Sequence, residues 1–147
     1  MFVIDASAAL ASLLGQPEAV LSDPLIVRMA DEPALVPAHW GLEISNVLLR
    51  EVRRGNLDED QASALAREAA GWPLSVDDQT AALSLSRVHD LAREQGLTAY
   101  DAAYLELCLR RGASLATFDQ QLSSAAAALG VGLVVEARGR ARRGQGT

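Results

Sequence analysis

Four acidic residues, Asp5, Glu43, Asp101 and Asp119, stand where carboxylates can do chemistry together. Asp5 ends the short apolar run Phe2-Val3-Ile4, which reads as a buried strand. Asp119 follows the strand-like run Ser114 to Thr117 almost at once. Glu43 falls early in a helical stretch after Leu35-Val36, and Asp101 in the first turn of a helix beginning at Thr98. Sites in an open parallel sheet form outside the carboxyl ends of its strands, so all four acids are expected at one end of the sheet. Carboxylates gathered there raise one another's pKa by repulsion. A hard divalent cation removes that conflict, and carboxylates with water suit Mg²⁺ or Mn²⁺. Such an ion lowers the pKa of a bound water and neutralises charge on a phosphate under attack.

Each acid also has a structural reading. Asp5 and Asp119 stand where an aspartate caps a following helix. Thr98-x-x-Asp101 fits a capping box. Glu43 lies on the edge of its helix's apolar stripe, where a half-exposed glutamate is ordinary. Position alone does not choose the reaction.

The elements that would carry these residues alternate between strand and helix. Ser7 is expected to cap a helix over residues 8–14, closed by Gly15 and Pro17, and residues 18–31 form a helical stretch interrupted at Asp23-Pro24. A strand over residues 35–38 leads to a helix from His39 to Arg54, with Trp40, Ile44, Val47 and Leu48 at helical spacing. A helix over residues 58–70 precedes a strand at 73–76. Asp77-Asp78 then open one helix running to about Gln95. The Thr98 helix ends at Gly112, and a last helix over 119–129 leads to a strand at 131–135. This alternation predicts an α/β fold, a three-layer αβα sandwich around a mainly parallel sheet of four to five strands. Residues 1–135 form the expected single domain, and the Arg/Gly-rich segment 136–147 a flexible tail.

Composition narrows the chemistry. All thirteen basic residues are arginine. Without lysine there is no Schiff base, no P-loop lysine and no partner for an aspartyl phosphate, so phospho-acceptor domains and haloacid-type phosphatases fall away. No G-x-G-x-x-G follows the first strand and no G-x-S-x-G elbow occurs. The single cysteine, Cys108, rules out an intrachain disulfide and is spaced with Leu105 and Leu109 as core. Asp5 interrupts the apolar N-terminus and no basic segment precedes it, so neither a signal peptide nor a membrane span is expected, and the location expected is cytoplasmic. His39 and His89 have no metal-spaced partner and read as structural or surface residues; Trp40 and Trp72 read as core or interface.

Four segments in order carry a family resemblance: Val3-Ile-Asp5-Ala-Ser7-Ala8, Glu43-Ile-Ser-Asn46-Val-Leu48, Leu97-Thr-Ala-Tyr-Asp101-Ala-Ala-Tyr104 and Leu115-Ala-Thr117-Phe-Asp119. The sequence resembles a PIN domain, specifically a VapC-type ribonuclease toxin of a type II toxin–antitoxin system, from Phe2 to about Val135. The resemblance implies a Mg²⁺-dependent endoribonuclease, with Mn²⁺ able to substitute, in a compact and commonly dimeric αβα fold. It implies Asp5 and Asp101 as principal metal ligands, Glu43 as a direct or water-mediated one, and Asp119 as orienting a water or a second ion. Ser7, Asn46 and Thr117 would hold carboxylates or a substrate phosphate. Water would attack an RNA phosphodiester, in a substrate such as tRNA or rRNA, to leave a 5′-phosphate and a 3′-hydroxyl. A cognate antitoxin is implied, its peptide segment lying in a groove and blocking the acidic pocket; the apolar helices before Arg54 suit either that groove or dimer packing. The alternative is a catalytically silent PIN-like binding module or scaffold, whose signature would be a missing acid.

Two features depart from that pattern. Gln120-Gln121 follow Asp119 where the family often carries a basic residue, and Phe118 is bulkier than the small or polar residue expected. The net charge is −6, and four arginines lie between residues 138 and 143, so the chain before them is near −10. Such a body repels RNA. Arg50, Arg53, Arg54, Arg110 and Arg111 are the candidate RNA contacts; the competing reading is solvated helix ends favoured by the dipole.

Overall fold

Parallel sheets covered on both faces read as continuous apolar runs. Strand β1 (Phe2–Ile4) is such a run, with each residue no more than 1% exposed. The computed structural model describes residues 1–16 and 23–135. Beside β1 lie β2 (Ala34–Val36) and β4 (Ser114–Ala116), and outside these β3 (Leu74–Val76) and β5 (Leu133–Val135). Every pairing is parallel, and the order is β3-β2-β1-β4-β5. Edge strand β3 is correspondingly polar and exposed at Ser75.

The chain grows from β1 outward through β2 to β3, then returns to β4 on the other side of β1. Right-handed crossovers place α1 (Ala6–Leu13), α2 (Asp23–Asp31), α3 (Trp40–Arg53) and α4 (Glu59–Ala70) on one face. The other face carries α5 (Thr80–Leu83), α6 (Arg87–Gln95), α7 (Ala99–Arg111) and α8 (Gln120–Ala128). Contacts of α1, α3 and α4 with one another, and of α7 with α6 and α8, agree with that division. The result is the three-layer αβα sandwich, and its order reverses at β1 and β4, where an open α/β sheet leaves a crevice.

Helix α7 is buried all along its middle, from Ala102 to Cys108. A helix apolar on every side belongs inside, and Gly112 ends it in the left-handed conformation at φ 63°. Glu106 is caught in that buried stretch at 1% exposure, so it needs a partner. Arg110, one turn on, donates Nε to Glu106 Oε1 at 2.8 Å. Its other nitrogens grip Asp77 at 3.0 and 2.8 Å. Arg110, one of the arginines expected to contact RNA, is engaged here with two buried acids.

Three local expectations change. Helix α1 starts at Ala6 and is capped by Asp5, not Ser7, because the Asp5 carboxylate takes the Ala8 N–H at 2.9 Å. The single helix expected over 79–95 is two helices. Between them Ser84 and Ser86 hydroxyls bond the Ala81 and Leu83 carbonyls at 2.7 and 3.4 Å, local bonds that compete with the helical ladder. Of the stretch expected over 18–31, Asp23–Asp31 is helical; residues 17–22 and the tail 136–147 lie outside the described residues.

Candidate active site

Asp5 leaves the end of β1 with its side chain 3% exposed. Its carboxylate is gripped on all sides. Ser7 Oγ donates to it at 2.7 Å, the Ala8 N–H at 2.9 Å, and Thr117 Oγ1 from the end of β4. The two hydroxyls are themselves placed by the neighbouring strand end. Ser7 Oγ accepts the Phe118 N–H, and Thr117 Oγ1 accepts the Asp119 N–H, each at 2.9 Å. Burial pushes the Asp5 carboxyl up to about 6, against these hydrogen bonds, and the Asp101 charge adds to the rise.

Asp119 caps α8, accepting the Leu122 N–H on Oδ1 at 2.8 Å. Its Oδ2 has no hydrogen bond among the described residues. Asp101 lies half-buried in the first turn of α7, where its N–H meets the capping hydroxyl of Thr98 at 3.1 Å. Its carboxyl is held above the usual range by burial first, then by the charges of Asp119 and Glu43. Glu43, in the first turn of α3, accepts Tyr104 Oη on Oε1 at 3.1 Å. His39 Nε2 lies 2.8 Å from the same oxygen, but its N–H is not aligned for a hydrogen bond. The His39 ring packs against Tyr100 and Tyr104 at centroid distances of 5.4 and 5.2 Å.

Asp101 thus feels the charges of Asp119 and Glu43, and Asp5 feels that of Asp101, at the β1/β4 crevice. They are not drawn into a closed cage: among the described residues no three Asp, Glu, His or Cys side chains converge as a ready metal site. Mg²⁺ does not require such a cage, since it keeps several waters and takes only one or two carboxylates directly. The buried Asp5 and half-buried Asp101 carboxylates are donors of the right hardness for it.

The remaining expected site residues are exposed on α3 and α7. Asn46 is exposed on α3, one turn beyond Glu43, and makes no hydrogen bond among the described residues. Arg50, Arg53 and Arg54 are exposed at the far end of α3 and Arg111 at the far end of α7. A rise of about 1.5 Å per residue puts these arginines roughly 10–16 Å along their helices from Glu43 or Asp101. Arg54 is 3.6 Å from Glu51. His39 and Tyr104, in contrast, reach the site although the sequence reading gave neither a part in it. Helical spacing was the available signal: His39 precedes Glu43 by four residues and Tyr104 follows Asp101 by three, so each shares a helix face with an acid.

Cys108 is buried 3.8 Å from the Ser114 carbonyl, and burial pushes its thiol up to about 12, so it is inert packing. Trp40 and Trp72 pair at 6.2 Å within the core.

An all-parallel αβα sheet with acids at its reversal point defines a class of protein, and comparison places the chain within it. Residues 2–128 match the PIN domain family, to which this chain belongs. It is 32% identical over 121 residues to Ribonuclease VapC3 of Pyrobaculum aerophilum, covering 82% of this chain and 91% of that protein. The crystal structure of PAE2754 from the same organism matches with a TM-score of 0.65 at 26% identity, over 84% of this chain and 78% of that one. The likeness is thus to VapC-type toxins within the family.

Proposed function

We propose that this protein is a Mg²⁺-dependent endoribonuclease, with Mn²⁺ able to substitute, acting as the toxin of a toxin–antitoxin pair. The observation that carries the reading is the Asp5 carboxylate, buried and clamped between two strand ends beside Asp101. The likeness to a named ribonuclease supports the substrate class.

Asp5 and Asp101 would hold the ion, Glu43 would reach it directly or through water, and Asp119 Oδ2 would orient a water. When bound, the ion supplies activation of that water and neutralises charge on the scissile phosphate. The protein's own part is orientation. Ser7 and Thr117 fix the Asp5 carboxylate, while Tyr104 fixes Glu43. Hydrolysis would leave a 5′-phosphate and a 3′-hydroxyl on an RNA such as tRNA or rRNA.

An antitoxin segment or a second copy of the chain would dock on the apolar surface of α3 and α4. A groove of ≈ 340 Å³ there is lined by Leu48, Leu49, Val52, Ala62 and Ala66 and supports such a partner. No described helix is long and apolar enough to cross a membrane.

The test is digestion of total cellular RNA by the purified, antitoxin-free protein with Mg²⁺ or Mn²⁺. Discrete products, lost with EDTA and in Asp5→Asn, are expected. Folded protein that neither cleaves RNA nor binds Mn²⁺ would overturn the reading in favour of a silent scaffold.

A further inference from the structure

Gln95, Gln120, Gln121 and Ser124 line a groove of ≈ 410 Å³ with Ala125 and Ala128. The chain itself sets this groove beside the acids. Gln95 ends α6, and after Gly96 and Leu97 the residue Thr98 caps α7, whose first turn holds Asp101. Gln120 directly follows Asp119. The groove therefore opens at the N-terminal end of α8, one residue along the chain from Asp119.

Its lining contains no charged side chain. None of its three amides is hydrogen-bonded to a described residue, whereas the Gln61 amide is committed to the cap of α4. The volume falls at the low end of the roughly 300–1,000 Å³ usual for ligand sites.

Phosphates are held by cations and helix N–H groups, and sequence is read on base edges by neutral donors and acceptors. A glutamine amide sets an N–H donor beside a C=O acceptor and can pair bidentately with a base edge. Unpaired RNA exposes such edges. A cation-free groove with three unpaired amides is poorly suited to a phosphate and well suited to a base. We infer that the Gln95–Gln120–Gln121 groove is a base-reading subsite, holding a nucleotide of single-stranded RNA next to the cleaved bond and so deciding where cleavage falls. The inference takes its ligand class from the ribonuclease reading above.

The experiment separates the two. Fluorescein-labelled short homopolymers of A, C, G and U are titrated with the full chain in Ca²⁺, by anisotropy, for wild type and Gln95→Ala/Gln121→Ala. Gln121 is exposed and Gln95 partly buried, and circular dichroism checks the fold. Wild type is expected to favour one base by about tenfold, the worth of a single good bidentate pair, and the double variant to bind all four alike. Wild type that binds all four alike or none, or a variant that keeps the preference, overturns the subsite. Cleavage of the same oligonucleotides with Mn²⁺ is scored separately. An amide-dependent preference without cleavage keeps the subsite and removes the nuclease; cleavage without that preference does the reverse.

Discussion

Thr117 ties the end of β4 to Asp5 at the end of β1: its hydroxyl donates to Asp5 Oδ2 and accepts the Asp119 N–H at 2.9 Å. One fully buried side chain thus sets two of the four acids at once. Thr117→Val keeps the shape but removes both bonds. It is expected to cost about 1–3 kcal/mol of stability, the desolvation of groups left unsatisfied. Mn²⁺ affinity should fall about 10–100-fold, as for other groups that orient a metal ligand. Thr117→Ser should restore both, so a serine variant as impaired as the valine would refute the hydroxyl's role. Calorimetric titration with Mn²⁺ and urea unfolding read the two effects.

Among the described residues Arg110 is the one cation on two buried acids, Asp77 and Glu106, which are 5% and 1% exposed. Arg110→Met leaves both charges without it. Removing one partner of a buried ion pair costs about 3–5 kcal/mol, to be read from the urea midpoint. Binding of RNA by the folded fraction should be unchanged, since this guanidinium is already occupied.

The same pair is expected to contribute to the acid limit of the fold. The Arg110 guanidinium holds the Asp77 carboxyl down to about 2 against an ordinary 3.8. A depressed acid stabilises the fold above its unfolded pKa, and that contribution is lost as pH falls through the folded value. Stability should therefore drop between about pH 4 and pH 2. Asp77→Asn should flatten this limb; an unchanged acid limb in the variant would assign it to other groups.

Asp5 has the opposite sign. Its carboxyl is raised to about 6, so the metal-free fold favours the protonated form. The stability this group contributes is complete below its ordinary 3.8 and is lost as pH rises through about 6. A cation needs the ionised form. Mn²⁺ is accordingly expected to raise the melting temperature above pH 6 and to lose that effect below it. An equal shift on both sides would show that Asp5 is not a ligand.

Tyr104 anchors Glu43 through a 3.1 Å hydrogen bond from a ring that is 1% exposed. Tyr104→Phe should leave the core filled and cost about 1 kcal/mol. RNA cleavage should fall about tenfold or more through the loosened carboxylate. Unaltered cleavage kinetics would show that Glu43 needs no such anchor.

Much of the architecture was legible because it is local. Apolar runs of strand length ending in Asp or Thr, alternating with helical spacing, dictate a parallel sheet, and a parallel sheet dictates which ends carry a site. Asp5 and Asp119 show their position in this way, one and three residues beyond the ends of their strands. The break at Ser84–Ser86 was not legible, because a hydroxyl's choice between solvent and the backbone depends on what surrounds it.

The sequence by itself determined the strand–helix order, the absence of lysine chemistry, and the placing of four acids at the starts of helices or the ends of strands. Tertiary structure alone decided their company. Thr117 meets Asp5 across 112 residues, Tyr104 meets Glu43 across 61, and Arg110 turns to Asp77 across 33. Such pairings leave no periodic trace in the chain. They arise because burial strips water from polar groups and makes each take the partner that packing brings within reach.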